Sequence, residues 1–307
     1  MAEARLGRVV TEADLELVDG RTLHYYDTRE DEPDARVAVF WCHGAPSVGR
    51  PPEPLFPAAA ENGLRWVSYD RPAYGGSSPN PGRNIASAAA DVAAIADALG
   101  IGRFATLGHS GGGPHALACG ALLPERVIAV VSMSAPAPID AEDLDWFAGW
   151  TRSGMAEQHA ALAGRAALEA YLASAEPDPE AFTTDDLVAL AGRWSWVADV
   201  FGQAVKNGYE GVVDDSLAGA REWGFAPADV TVPVLVMHGA KDRMVPSAHG
   251  KWLAAHCPGA ELLLVPDASH VTVLDSGPAA LAWLRDRVAA DSGKPEDAPP
   301  LRGLNHG

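Results

Sequence analysis

The pentapeptide Gly108-His109-Ser110-Gly111-Gly112 joins two runs of different character. Before it stands Arg103-Phe104-Ala105-Thr106-Leu107, short and apolar enough for a buried strand. After it, Gly113 to Leu123 is rich in small residues, Ala and Leu, and reads as a helix. A strand that becomes a helix within one or two residues forces the turning residue into a strained backbone conformation. Its neighbours must then lack bulk, so glycine two before and two after a serine is the pattern of a nucleophile elbow. The hydroxyl of Ser110 would stand at a helix N-terminus, where free N–H groups and the helix dipole favour developing negative charge. Pro114 suits a first helical turn, which needs no N–H from it. Alone the pattern is weak, because a chain with 31 glycines produces it by composition, and a glycine-rich turn under a core helix has the same letters.

The 307 residues include 48% hydrophobic and 21% charged side chains, the mixture of an ordinary globular chain. The formal net charge is −18. That balance argues against nucleic acid and anionic membrane surfaces as partners, since both are held by clustered Lys and Arg. A small-molecule substrate is the expected partner, and no segment specifies an oligomeric state. The N-terminus shows no basic-then-apolar leader, and no apolar run has the length of a membrane span. Cys42, Cys119 and Cys257, an odd and sparse set inside apolar runs, read as reduced core thiols of a cytoplasmic protein.

Along the chain, residues 1–12 read as a loose arm. Leu15 to Val18 and Thr22 to Tyr26 alternate around Asp19-Gly20, a hairpin signal. Val37 to Trp41, Leu64 to Tyr69 and Val127 to Met133 are continuous apolar runs, as strands buried on both faces require. Pro51–Asn62 and Asn84–Leu99 supply helices between them, so strand and helix alternate. The alternation stops at Ala135-Pro136-Ala137-Pro138. From there to residue 224 the expectation is helical, over Glu142–Trp150, Met155–Ala173, Thr184–Trp196 and Val200–Asn207. It resumes with Val234–Met237, a helix at Ser247–His256, the strand Glu261–Val265 and a helix from Pro278 to Ala290. The fold class is therefore α/β: a mostly parallel eight-stranded sheet with helices on both faces and a helical cap insertion. The expected division is a core of residues 13–135 and 225–290, a cap of 136–224, and flexible termini at 1–12 and 291–307.

Parallel sheets put their sites at strand ends. The ends here carry His43-Gly44, Asp70, Ser110, Asp242 and His270. A serine nucleophile needs a base to take its proton and a carboxylate to orient that base. Asp242 follows Val234–Met237, and His270 follows the last strand. Asp140, after the strand beside the elbow, is the rival acid; Asp267 lies close to His270 but on the wrong side of the chain turn. His24, His159, His249 and His256 read as structural or solvated, and His115 as packing under the sheet. No histidine pair has the spacing and flanking acid of a zinc site, so neither metal nor cofactor is expected.

With Ser110, Asp242 and His270 in the chain order serine, acid, histidine, the sequence resembles the α/β-hydrolase superfamily from about Leu15 to Ala290. The resemblance implies a cofactor-independent serine hydrolase. It makes the turn His43-Gly44-Ala45-Pro46 the oxyanion loop, with the N–H groups of Ala45 and Gly111 as donors, and lets His43, Gly44 and His109 flank the substrate. Trp146 and Trp150 are the expected apolar lining from the insertion. The turn Asp70 to Ser78 resembles the family's loop after its fourth strand, with Ala73 where glycine is usual, and reads as architectural. The implied activity is hydrolysis of a small to medium, partly apolar carboxylic ester. A proline-iminopeptidase-like aminopeptidase is the runner-up, with Glu157, Glu169, Glu210, Asp214 and Asp215 as candidate amine-binding groups, although a solvated face is the favoured reading of these carboxylates. A carbon–carbon bond hydrolase or thioesterase uses the same residues, and a ligand-binding receptor that keeps the triad is the alternative outside enzymes.

Overall fold

The computed structural model describes residues 10–29 and 36–292. Its eight strands are β1 (Thr11–Glu16), β2 (Thr22–Asp27), β3 (Val37–Cys42), β4 (Leu64–Tyr69), β5 (Phe104–His109), β6 (Val127–Met133), β7 (Val234–Gly239) and β8 (Glu261–Val265). They form one sheet in the order β1-β2-β4-β3-β5-β6-β7-β8. β1 and β2 pair antiparallel, as does β2 with β4, and every other pair is parallel. The expected α/β architecture is the one observed.

Alternation along the strands divides the core between the two faces. Ala38, Phe40, Val234 and Val236 pack into one apolar cluster; Val39, Trp41, Leu235 and Met237 pack into the other. Around the sheet lie α1 (Phe56–Glu61), α2 (Ser87–Ala98) and α3 (Gly112–Leu122). Between β6 and β7 come α4 (Arg152–Ala163), α5 (Arg165–Ser174), α6 (Thr184–Ala191), α7 (Ser195–Val205) and α8 (Glu210–Gly219); α9 (Ser247–His256) and α10 (Gly277–Ser292) complete the set.

The departures from expectation have local causes. β1 begins at Thr11, so residues 11 and 12 belong to the sheet; residues 1–9 of the expected arm and 293–307 of the expected tail lie outside the described residues, and 291–292 continue α10. Residues 142–150 are turns instead of a helix, because Asp143 and Gly149 take φ of +58° and +87°. The long helix expected over Met155–Ala173 breaks at Gly164, with φ +102°, into α4 and α5. Helix α8 was not anticipated: its buried residues include Gly211, Asp214 and Asp215, which carry no apolar period to read.

Candidate active site

Ser110 sits between β5 and α3 with φ +54°, in the left-handed region that costs a non-glycine residue energy. The flanking glycines permit this turn. A Cβ on Gly108 would come within 2.2 Å of the Gly112 carbonyl oxygen, and one on Gly112 within 1.9 Å of the Cys42 carbonyl oxygen. The backbone is tied on both sides, with the Ser110 N–H donating to Met133 O at 2.8 Å and the Gly113 N–H donating to Ser110 O at 2.9 Å.

The loops after β7 and β8 close on each other. Lys241 N–H donates to Ala268 O at 2.9 Å, and Ala240 N–H to Val265 O at 2.9 Å. This brings His270 between Ser110 and Asp242: Nε2 is 3.0 Å from Ser110 Oγ, and Nδ1 is 2.8 Å from Asp242 Oδ2. The carboxylate fixes the ring proton on Nδ1, which leaves Nε2 as an acceptor for the serine hydroxyl. The second oxygen of Asp242 accepts the N–H groups of Met244 and Val245, both at 2.9 Å. Burial opposes charge on Asp242, but the neighbouring His270 and His238 outweigh it and hold the carboxyl well below its ordinary range. Burial likewise opposes the imidazolium of His270, yet the charge and hydrogen bond of Asp242 raise its pKa above the ordinary histidine value. The rival acids are elsewhere: Asp140 is exposed, and Asp267 pairs with Lys241 at 2.8 Å.

Ser110 opens on a cavity of about 320 Å³. Ala45, Gly111, Trp146 and Trp150 are among the residues that line it. The Ala45 N lies beside Gly111, 3.6 Å from where a Cβ on Gly111 would stand. Among the described residues neither N–H has a hydrogen-bond acceptor. Trp146 and Trp150 stack at 4.9 Å between centroids, with His249 edge-on to both. His249 is neither solvated nor incidental: it accepts the Ala137 N–H at Nδ1 (3.2 Å) and donates to Trp146 O (3.0 Å), and so fixes the wall of the cavity.

Three residues expected to flank the substrate do not line the cavity. His43 is buried, with Nδ1–H donating to Gly44 O at 2.7 Å and Nε2 accepting the Arg71 N–H at 3.0 Å. Gly44 turns its carbonyl to Arg71, whose Nη2 donates to it at 2.9 Å. His109 points away, beneath the histidine loop, where its Nε2 donates to His270 O at 2.9 Å. Burial and the proximity of His270 push its pKa down to about 3, so it stays neutral. Conversely His115, expected under the sheet, reaches the cavity lining; its Nδ1–H donates to Gly111 O at 2.8 Å. His24 pairs with Asp14, His159 stacks on Phe147 and His256 on Trp252, all away from the site.

The five carboxylates of the insertion separate. Glu169 and Glu210 are exposed. Asp214 and Asp215 are buried ion-pair partners, correcting the solvated-face expectation: Asp214 pairs with Arg165, and Asp215 with Arg71 and Arg83. Glu157 lines the cavity with the Ser216 hydroxyl as hydrogen-bond partner at 3.2 Å, and burial pushes its carboxyl above the ordinary glutamate value. Sequence reading missed Asp186, whose Oδ1 accepts the N–H groups of Val271 (2.8 Å) and Thr272 (3.1 Å) just after His270. The available signal was Thr183-x-x-Asp186, a capping box at the start of α6. No group of three or more metal-ligating side chains occurs among the described residues, and no described helix is long and apolar enough to cross a membrane.

Residues 37–276 match the family model of the alpha/beta hydrolase fold. The chain is 29% identical over 237 residues to a non-heme chloroperoxidase from Streptomyces lividans, covering 75% of this chain and 82% of that one. Its structure resembles a thermophilic esterase from Thermogutta terrifontis, with a TM-score of 0.67, 19% identity, and 91% and 98% of the two chains covered. It also resembles the enol-lactonase from Burkholderia xenovorans LB400, with a TM-score of 0.65, 22% identity, and 90% and 100% covered.

Proposed function

The chain belongs to the alpha/beta hydrolase fold family, and on that premise we propose that it is a serine hydrolase cleaving a small to medium, partly apolar carboxylic ester through an acyl-enzyme. The observation that carries the reading is the unbroken line from Ser110 Oγ through His270 to Asp242, at 3.0 and 2.8 Å. Ser110 attacks the carbonyl carbon while His270 Nε2 takes its proton; Asp242 keeps the tautomer and stabilises the imidazolium. The tetrahedral oxyanion is held by the N–H groups of Ala45 and Gly111. Collapse expels the alcohol, protonated by His270. Water activated by the same ring then releases the acid and restores Ser110.

The lining suits a partly apolar substrate and opposes an anionic one, with Glu157, Glu176, Asp178 and Asp215 among its residues. Trp146 and Trp150 offer an aromatic wall, and no Lys or Arg stands among the lining residues to receive an anion. The helical segment of residues 136–224 is proposed as the cap, and the free, buried cysteines support a reducing, cytoplasmic setting. The test is turnover of p-nitrophenyl esters from acetate to octanoate. Expected is measurable kcat/KM with a maximum at short to medium chains, abolished in Ser110→Ala; stoichiometric binding without turnover would favour a receptor instead.

One observation favours a second reading, cleavage of substrates bearing an amine. Glu157 lines the cavity, where among the described residues only the Ser216 hydroxyl donates to its carboxylate, and a substrate ammonium would relieve the cost of its buried charge. Higher kcat/KM for aminoacyl than for matched acyl arylamides, lost in Glu157→Gln, would select this reading over the first.

A further inference from the structure

The turn Asp70–Ser78 read as architectural, yet its Arg71 is buried against the oxyanion loop. The Arg71 guanidinium donates to the carbonyl oxygens of two successive loop residues: Nη1 to His43 O and Nη2 to Gly44 O at 2.9 Å. The Arg71 main chain takes part as well. Its N–H donates to His43 Nε2 at 3.0 Å, which fixes the ring proton on Nδ1, and that proton goes to Gly44 O at 2.7 Å. Both donors to the Gly44 carbonyl are therefore set by one residue.

That carbonyl shares a peptide plane with the Ala45 N–H. In a trans peptide the two groups point in opposite directions. A carbonyl pinned towards Arg71 therefore aims the Ala45 N–H the other way, to the side where Gly111 and Ser110 lie. Arg71 is in turn gripped by Asp215 of α8, which accepts from Nε at 3.2 Å and from Nη2 at 2.5 Å. The same carboxylate accepts from Arg83 Nη2 at 2.5 Å. Two guanidinium groups outweigh burial and hold the Asp215 carboxyl well below its ordinary range, so it is charged throughout the working pH range.

We propose that Arg71 is a positioning residue for the oxyanion hole, and that Asp215 couples the helical segment between β6 and β7 to the Ala45 donor through it. The proposal rests on the serine-hydrolase reading above. It assigns Asp215 to the scaffold although the residue borders the cavity, because its two oxygens already accept three guanidinium N–H groups, two from Arg71 and one from Arg83. It also makes the oxyanion donor dependent on how α8 is seated.

The test compares two arginines that share Asp215 but differ in what else they touch. Arg71→Lys keeps a positive charge beside Asp215 but lacks the planar fork that spans a carboxylate and two carbonyls. Arg83→Lys perturbs the same carboxylate; Arg83 makes no described contact with His43, Gly44 or Ala45. Each variant is first matched to the parent in circular dichroism and Tm. Steady-state hydrolysis of a p-nitrophenyl ester and the rate of fluorophosphonate labelling at Ser110 are then measured. Arg71→Lys is expected to lower kcat about 10- to 100-fold with KM within about threefold, and to slow labelling in parallel, because the donor acts on the tetrahedral species. Arg83→Lys is expected to stay within about threefold of the parent in both. Asp215→Asn, which keeps an acceptor oxygen and loses the charge, is expected to fall at least about fivefold in kcat; it decides the matter if Arg71→Lys does not fold. A folded Arg71→Lys or, in its place, Asp215→Asn with parental kcat overturns the proposal, as does an equal loss in Arg83→Lys. A parent that neither turns over esters nor labels at Ser110 fails the serine-hydrolase reading itself, a different result from a labelled parent with indifferent variants.

Discussion

Asp186 and Val271 are joined by a 2.8 Å hydrogen bond from the Val271 N–H to Asp186 Oδ1, so a residue of α6 anchors the loop that carries His270. The same oxygen takes the Thr272 N–H at 3.1 Å, and the other oxygen closes the capping box on Thr183. Asp186→Ala leaves two buried N–H groups without an acceptor, at a cost of roughly 2–4 kcal/mol. The expected outcome is a Tm lowered by roughly 5–10 °C together with a fall in kcat, and a smaller effect for Asp186→Asn, which keeps one acceptor oxygen. Calorimetry and ester assay check both; an Asp186→Ala protein with parental Tm would show that the loop is held by other contacts.

Asp242→Asn should lower kcat by roughly 10³–10⁴, because the amide no longer enforces the Nδ1–H tautomer of His270. Asp140→Asn should leave kcat unchanged, since Asp140 is exposed and Asp242 makes the 2.8 Å contact to the ring. The reverse order of effects in steady-state kinetics would move the acid to the strand beside the elbow.

The pH responses of activity and stability follow from which histidines are held charged or neutral. His270 must be neutral to accept the serine proton, and its pKa is raised in the folded protein, so kcat/KM should rise with pH through a limb above about 6.5. The stability that His270 contributes as a cation is present below about pH 6.5 and lost as pH rises through its folded pKa. His109, His115 and His249 behave oppositely. Burial above all holds them neutral, with pKa values pushed down to about 3, 3 and 4. Between those values and about 6.5 the unfolded chain binds protons that the folded one does not, so stability falls as pH drops through that window. By pH 5 each costs up to about 2 kcal/mol, and Tm measured from pH 7 to pH 5 should fall; His115→Gln should flatten that fall in part. A limb below pH 6 in kcat/KM, or a Tm unchanged down to pH 5, would contradict these assignments.

Gly112 and Gly202 make a matched pair for the elbow. A methyl group on Gly112 would stand 1.9 Å from the Cys42 carbonyl oxygen, whereas one on Gly202, on the exposed side of α7, would meet nothing within 4 Å. Gly112→Ala should therefore abolish soluble expression or lower Tm sharply, while Gly202→Ala should stabilise by about 0.5–1 kcal/mol. Denaturant unfolding of the two variants measures the contrast; a Gly112→Ala protein of parental stability would mean that the elbow tolerates a side chain there.

The sheet was legible because its strands are continuous apolar runs bounded by turn signals, and the three-residue line was legible because each member sits at a strand end in a fixed order. The helices between β6 and β7 were less so. Asp143 and Gly149 take left-handed backbone that the composition around Trp146 and Trp150 does not announce, and α8 buries aspartates where an apolar stripe would be sought. The same gap hid the part Arg71 plays: the Asp70–Ser78 turn reads as architectural, and the partner of Arg71, Asp215, lies 144 residues away. His43 and His109, expected to flank the substrate, face the scaffold instead, because buried polar rings seek backbone acceptors. Ala73, standing where glycine is usual in that turn, still adopts φ +72°.

The most direct measurement is site mapping of covalent inhibition. The parent protein is treated with a fluorophosphonate, digested, and the modified residue identified by mass spectrometry, alongside Ser110→Ala and His270→Ala. The account predicts one adduct per chain, on Ser110, absent in Ser110→Ala and slowed by orders of magnitude in His270→Ala. Labelling that persists in Ser110→Ala, or that proceeds at the parental rate without His270, would contradict it.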